Sequence, residues 1–342
     1  MRYLITGHTG FKGSWLSLML KELGHDVSGI SLDPEGESLF VQAKLHDLFT
    51  HDIRSDIRDL SILKSHFATI NPEVVIHLAA QPLVRYSYLH PLETFESNVM
   101  GTLNVLEASR TLGELRATLV ITTDKVYKNF GHLRGYLETD QLGGDDPYSA
   151  SKAAADIASQ SWIRSFGNHP IAIARAGNVI GGGDWAADRL IPDLVKSYAR
   201  GESVVVRNPN SVRPWQHVLD CLNGYLTLIN SMISSGTTGE WNFGPDHNQK
   251  HTVQEVIGEF AKYFNLSVEP WRLDTQVNPE ESNFLLLDST KAKNQLHWKN
   301  HLDFANSLSW SANWYQMPVS QAREITVKQI KDFFNLSSSV KI

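Results

Sequence analysis

Two side chains suited to proton transfer stand four residues apart, Tyr148 and Lys152, in the string Asp146-Pro147-Tyr148-Ser149-Ala150-Ser151-Lys152. On a helix, i and i+4 share one face, so the phenol and the ammonium are expected to point the same way. A phenol titrates near pH ~10 in water, and a fixed neighbouring cation favours phenolate, a base usable at neutral pH. Earlier, directly after an apolar run, comes Thr123-Asp124-Lys125. The Thr123 hydroxyl can share the substrate oxygen that the phenol deprotonates. An acid and an amine beside that hydroxyl point beyond simple hydride transfer.

A second group of residues suits a dinucleotide. Gly7, Gly10 and Gly13 recur every third position in Thr6-Gly7-His8-Thr9-Gly10-Phe11-Lys12-Gly13, between an expected strand and an expected helix. Glycines there let backbone N–H groups approach a pyrophosphate at a helix N-terminus, where the dipole favours anions. Asp33 follows Gly13 by 20 residues, where a carboxylate would accept from the adenosine ribose and repel a 2′-phosphate, favouring NAD over NADP. A plain turn residue before Pro34 is the competing reading. Asp56 and Ile57 are candidates for the adenine edge, with surface charge as the alternative. Leu78-Ala79-Ala80-Gln81 follows a buried run, and its small residues would let a cofactor lie against backbone. Asn98, inside an expected helix, either holds active-site backbone or water, or faces solvent. Arg189, Arg207 and Arg213 crowd the second half near Trp185 and Trp215. Arginine forks match diphosphate oxygens and aromatic rings stack on bases, although surface salt bridges would look the same.

The elements that must position these groups follow from periodicity. Short apolar runs at Tyr3–Ile5, Asp26–Ile30, Val74–Leu78, Thr118–Thr122 and Ile171–Arg175 alternate with helical patterns such as Ser14–Leu23 and Thr94–Leu112. That rhythm implies an α/β fold, a Rossmann-type doubly wound parallel sheet. After Gly177 the texture changes to a glycine loop and a segment rich in arginine and proline. Trp241–Pro245 reads as a late strand that rejoins the sheet. The expected organisation is a dinucleotide-binding domain over 1–178 plus about 215–243. A smaller, mostly C-terminal substrate domain takes 179–214 plus 244–335.

Bulk properties narrow the function class. The 342 residues are 42% apolar and 20% charged, an ordinary globular balance, with a net charge of −6 that argues against a non-specific nucleic-acid binder. The single cysteine, Cys221, cannot form an internal disulfide, so a reducing, cytoplasmic setting is expected. No apolar stretch approaches the ~20 residues of a spanning helix, so no membrane partner is expected. Fourteen histidines without metal-ligand spacing, and one cysteine, point to no metal site.

The glycine loop with Tyr148 and Lys152 resembles the extended short-chain dehydrogenase/reductase family. Longer strings are similar to its nucleotide-sugar branch, and among those to the CDP-sugar 4,6-dehydratases: Thr6 to Leu16, Ala79 to Arg85, Arg175 to Trp185, and Arg213 to Val218. The resemblance implies a lyase of deoxysugar (including O-antigen) biosynthesis, with NAD as cofactor and CDP-glucose, a nucleotide-diphosphate sugar, as substrate. It implies a catalytic set of Thr123, Asp124, Lys125, Tyr148 and Lys152, in which Lys125 stands where most such dehydratases have glutamate. It further implies cofactor contacts from Gly7, His8, Gly10, Phe11, Lys12, Gly13, Asp33, Asp56, Ile57, Leu78, Ala79, Ala80, Gln81 and Asn98, besides Tyr148 and Lys152. Substrate contacts are implied for Arg85, Asn178, Arg189, Arg207 and Arg213, and a homodimer or homotetramer for the assembly. A 4-epimerase on the same scaffold is the nearest rival, and it needs no acid for elimination. A non-catalytic NAD-binding scaffold protein is a distant one, with no need of Tyr148 or Lys152.

Overall fold

The apolar runs of the first half form the parallel strands β1 (Arg2–Thr6), β2 (Asp26–Ser31), β3 (Asp52–Arg54), β4 (Val74–His77), β5 (Ala117–Thr123) and β6 (Ile171–Ala176). In this computed structural model, which describes residues 1–246, 249–275 and 284–336, a seventh strand, Gly239–Phe243, runs parallel to β6. The late strand expected there does rejoin the sheet. The order across it is Gly239–Phe243, β6, β5, β4, β1, β2, β3. Every residue of β5 and β6 is buried, which explains why these runs do not alternate polar with apolar. The expected doubly wound architecture is therefore present.

Because β1 lies between β2 and β4, connections leave it in opposite directions and a crevice opens at the strands' carboxyl ends. Helix α1 (Phe11–Glu22) begins there, three residues earlier than the apolar pattern suggested, with Gly10 as its N-cap. The helix Pro147–Ser165 is set by local chemistry: Asp146 accepts from the Ser149 N–H (2.9 Å), and Pro147 occupies the first turn, where its missing N–H costs nothing. The single helix expected over Thr94–Leu112 is three pieces. Pro91–Phe95 and Gly101–Ser109 are α-helical, and Glu96–Met100 between them is a π turn. Such insertions commonly mark functional sites.

A second apolar cluster, including Ile180, Ile191, Leu194, Val206, Trp215, Ile257 and Phe260, gathers chain from after β6. Short strand pairs stiffen it, among them Val204–Val206 beside Trp271–Leu273. Residues 247–248 and 276–283, part of the expected substrate domain, lie outside the described residues. Among the described residues, no helix is long and apolar enough to cross a membrane.

Candidate active site

At the end of β5 the chain turns abruptly. Thr123 is the last strand residue, and Asp124–Val126 form a single 3₁₀ turn that it caps, with the Lys125 N–H donating to Thr123 Oγ1 (3.3 Å). The helix Pro147–Ser165 presents Tyr148 and Lys152 to the same place. A cleft of about 380 Å³ is lined by Thr123, Asp124, Lys125, Tyr148 and Lys152, along with Phe11, Lys12, Leu78 and Ala80. An adjoining lobe of about 290 Å³ shares Lys125, Asn178, Arg189, Arg207 and Arg213 with the cleft and adds Arg85. All five residues of the expected catalytic set thus share one cavity. The five expected substrate residues line it or its lobe.

Burial dominates the site's electrostatics. Asp124 is buried, and its carboxyl is held above the usual range by desolvation, against the pull of Lys125, Thr123 and Arg213. Its Oδ1 accepts from Thr123 Oγ1 (2.9 Å), while its Oδ2 is buried with no partner in the protein. A buried carboxyl oxygen without a protein partner, whose protonated form burial favours, in one cleft with a hydroxyl and a phenol, suits a proton donor. Burial also pushes the Lys152 ammonium down to about 8, helped by Lys12 and opposed by Asp156. Lys152 Nζ donates to the Ile121 carbonyl at 3.0 Å.

One expectation is corrected here. The phenol of Tyr148 is not lowered but raised to about 12, by desolvation first and Asp124 next, against a Thr123 hydrogen bond and Arg189. In the protein alone, desolvation outweighs every nearby cation.

A dinucleotide fits the glycine loop. Gly7 has φ +79°, and a Cβ there would stand 2.7 Å from Ala79 N. A Cβ on Gly13 would sit 2.2 Å from Gly7 O. The loop closes on the strand ends only without side chains. Gly10 makes no side-chain cap, so the first N–H groups of α1 are left for an anion.

Other expected cofactor residues contribute backbone or scaffolding. His8 turns its ring away from the cleft to Asp52 (2.7 Å), where burial lowers its pKa. The Asp56 carboxylate is committed to Arg58, and Ile57 is buried beneath Gly101. Asp33 is exposed after β2, with Arg54 3.6 Å away. Ala79 packs on Gly7, whereas the Gln81 side chain folds back onto Leu83 and Thr94. Asn98 does not face solvent: it grips both backbone groups of Gln81 (2.8 and 3.1 Å) and Ser151 Oγ (2.9 Å).

Several participants were not singled out from sequence. Ser87 Oγ accepts from the Tyr148 N–H at 3.1 Å. Asp184 pairs with Arg189 (2.8 Å), and Asp188, at φ +60°, pairs with Arg85 (3.0 Å). An acid five residues before Arg189 in the glycine loop was a visible signal for the first of these. A left-handed aspartate leaves none.

Against known proteins, residues 4–309 match the GDP-mannose 4,6 dehydratase family. The CDP-glucose 4,6-dehydratase of Salmonella typhimurium is 43% identical over 326 residues, 92% of this chain and 90% of that protein. A probable dTDP-glucose 4,6-dehydratase of Sinorhizobium fredii is 28% identical, covering 92% of this chain and 93% of its own. Among solved structures, a dTDP-glucose 4,6-dehydratase of Streptomyces venezuelae with NAD and TYD bound superposes with a TM-score of 0.80 at 23% identity, covering 92% of this chain and 97% of its own. A UDP-glucose 4-epimerase of Thermotoga maritima does so at 0.78 and 22%, covering 92% and 99%. Dehydratases and epimerases share the fold, so the fold cannot separate them; the residues at the end of β5 can.

Proposed function

Because the chain belongs to the GDP-mannose 4,6-dehydratase family, we propose that it is an NAD-dependent nucleotide-sugar 4,6-dehydratase. Its substrate is CDP-glucose and its products are CDP-4-dehydro-6-deoxyglucose and water. The observation that carries this reading is Asp124: buried, driven towards its protonated form, and with Oδ2 unpartnered in the same cavity as Thr123 and Tyr148. An epimerase has no use for such an acid. Relatedness to the Salmonella enzyme supports the cytidine nucleotide.

Gly7, Gly10, Gly13 and the start of α1 would hold the dinucleotide, with Leu78, Ala79 and Ala80 beneath it. Bound there, NAD would supply a hydride acceptor that is regenerated within each turnover, the hydride passing from carbon 4 to carbon 6 of the sugar. Tyr148 removes the 4-hydroxyl proton, and Thr123 holds that oxygen. The 4-ketone acidifies the carbon-5 proton, and Lys125, next to Asp124 in the same cleft, is assigned as the base that removes it. Asp124 then protonates the departing 6-hydroxyl as water, and as hydride reaches carbon 6, Tyr148 or solvent returns a proton to carbon 5. Arg189, Arg207 and Arg213 hold the diphosphate, with Asn178 on the sugar side and Arg85 at the rim. Remote binding of this kind orients the reacting sugar.

The second lobe, 179–214 with 244–335, is proposed as the nucleotide-sugar module. Exposed Leu89, Leu92, Met100 and Ile157, on helices that flank the site, support a homodimer formed through this face. The product would feed deoxysugar synthesis.

Incubation with CDP-glucose and catalytic NAD tests the reading by formation of a 4-keto-6-deoxy sugar. Recovery of a 4-epimer instead would overturn it. A panel of UDP-, dTDP- and GDP-sugars at equal concentration tests the base, with the highest kcat/KM expected for CDP-glucose.

A further inference from the structure

His77 ends β4, fully buried beneath the cleft, and it has no place in the chemistry above. Both its ring nitrogens are used. Nδ1 lies 2.7 Å from Thr6 Oγ1, and Nε2 lies 2.9 Å from Thr102 Oγ1. The neighbours fix which nitrogen carries the proton. Thr102 spends its own proton on the Asn98 carbonyl (2.7 Å), so towards His77 it can only accept. Nε2 is therefore the N–H, Nδ1 is the acceptor, and Thr6 donates to it while accepting from the Ala79 N–H (3.4 Å).

The path from the ring ends on the Asn98 backbone carbonyl, and the Asn98 side chain begins a second set. Its side-chain oxygen takes the Gln81 N–H and its amide donates both hydrogens, to the Gln81 carbonyl and to Ser151 Oγ. Ser151 in turn donates to the Tyr148 carbonyl at 2.7 Å. Two hydrogen-bonded sets that meet at the residue Asn98 thus connect the strand end that enters the glycine loop (Thr6), the loop after β4 (Ala79 to Gln81), the π turn and the backbone of Tyr148. A histidine satisfied for packing alone needs partners, but not ones that connect through Asn98 to the reactive tyrosine.

We propose that His77 is a positioning residue for the dehydratase reaction: as neutral Nε2–H imidazole it orders these bonds and so sets Tyr148 and the cofactor loop in one register. A buried network of this kind holds its geometry only when each member donates in the right direction. Burial, with the Lys152 ammonium nearby, holds the imidazole pKa down to about 3, so the donor pattern persists across the working pH range.

The inference rests on the proposed function for its kinetic arm, and its spectroscopic arm stands apart from it. In ¹⁵N spectra of the wild-type protein, His77 is expected as the neutral Nε2–H tautomer, unchanged between about pH 5 and 9. The other tautomer, or titration in that window, would overturn the proposal whatever the enzyme acts on. In kinetics, His77→Phe should slow both overall turnover and the single-turnover rise in reduced cofactor by roughly ten- to a hundredfold. KM for CDP-glucose should stay within about threefold, since no group that touches the sugar is removed. His77→Gln, which can donate and accept in the same directions, should recover most of the loss. Thr102→Val breaks the same path without touching the imidazole site and should match His77→Phe, with the double variant no slower than either single one. This variant carries the test if His77→Phe does not fold. Folded variants with a lower Tm but wild-type single-turnover rates, or a His77→Gln as slow as His77→Phe, would leave His77 an ordinary core residue.

Discussion

Replacing Asp124 by asparagine separates the two halves of the reaction. Asparagine keeps an oxygen where Oδ1 accepts from Thr123 (2.9 Å) and nearly the same volume in a buried site, so Thr123, Tyr148 and Lys152 keep their places. What is lost is the proton of the carboxyl group. General acid catalysis contributes about 10²–10⁴-fold, so water loss should slow by about 3–5 kcal/mol of barrier. Oxidation at carbon 4 should proceed, and reduced cofactor should accumulate, read by absorbance near 340 nm after mixing with CDP-glucose. Stability should move the other way. Burial raises the Asp124 pKa, so the folded state disfavours its charge. That destabilisation is absent below the unfolded carboxyl pKa of ~3.9 and grows as pH rises above it. A carboxamide never ionises, so the Asp124→Asn variant should equal the wild type near pH 4 and melt higher at pH 7 to 8. Equal loss of oxidation and elimination, or turnover within tenfold of wild type, would refute Asp124 as the acid. A variant that melts lower at pH 8 than at pH 4 relative to wild type would refute the burial argument.

Other substitutions probe the surroundings. Tyr148→Phe should abolish the 340 nm transient itself, with a loss of about 10²–10⁴-fold in the single-turnover rate, because the base for the 4-hydroxyl is gone. Gly13→Ala places a Cβ 2.2 Å from the Gly7 carbonyl, so the loop must shift. About 1–3 kcal/mol of stability and most NAD affinity should be lost, checked by thermal melting with and without NAD. Asp156→Ala strands the fully buried Arg175, which Asp156 holds through two bonds (2.8 and 2.7 Å), at about 3–5 kcal/mol in a urea titration.

What the sequence announced was whatever obeys local rules. The strand Ile171–Ala176 was legible as an apolar run broken only by Arg175, Gly239–Phe243 only in its later half, and the glycine loop and the Tyr148/Lys152 spacing follow from how a strand enters a helix and how a helix repeats. What it hid was set by which partners each side chain meets once the chain is folded. That Arg58 closes on Asp56, and that Leu83 and Thr94 take the Gln81 amide, is visible only in the folded chain. Asn98 sits in a π turn that no periodicity reveals, and only that register shows the carboxamide gripping Gln81 from both sides. The sign of the Tyr148 shift was hidden for the same reason: spacing displays the nearby cation but not the burial.

That shift carries a consequence for catalysis. Burial favours the protonated forms of both Asp124 and Tyr148, which suits an acid and opposes a base. With the phenol at about 12, phenolate at pH 7 lies about 7 kcal/mol uphill at 1.36 kcal/mol per pH unit. Thr123 and Arg189 already lower it, so the remaining stabilisation has to arrive with ligands, and the positive ring of bound NAD⁺ is the charge of the right sign. The difference in 295 nm absorbance between the wild type and Tyr148→Phe isolates this one phenol among ten tyrosines. Without NAD it should stay neutral past pH 10, and with NAD and a nucleotide its titration should move towards neutrality. If the loaded enzyme turned over at pH 7 while Tyr148 still ionised only near 12, another group would be removing the 4-hydroxyl proton.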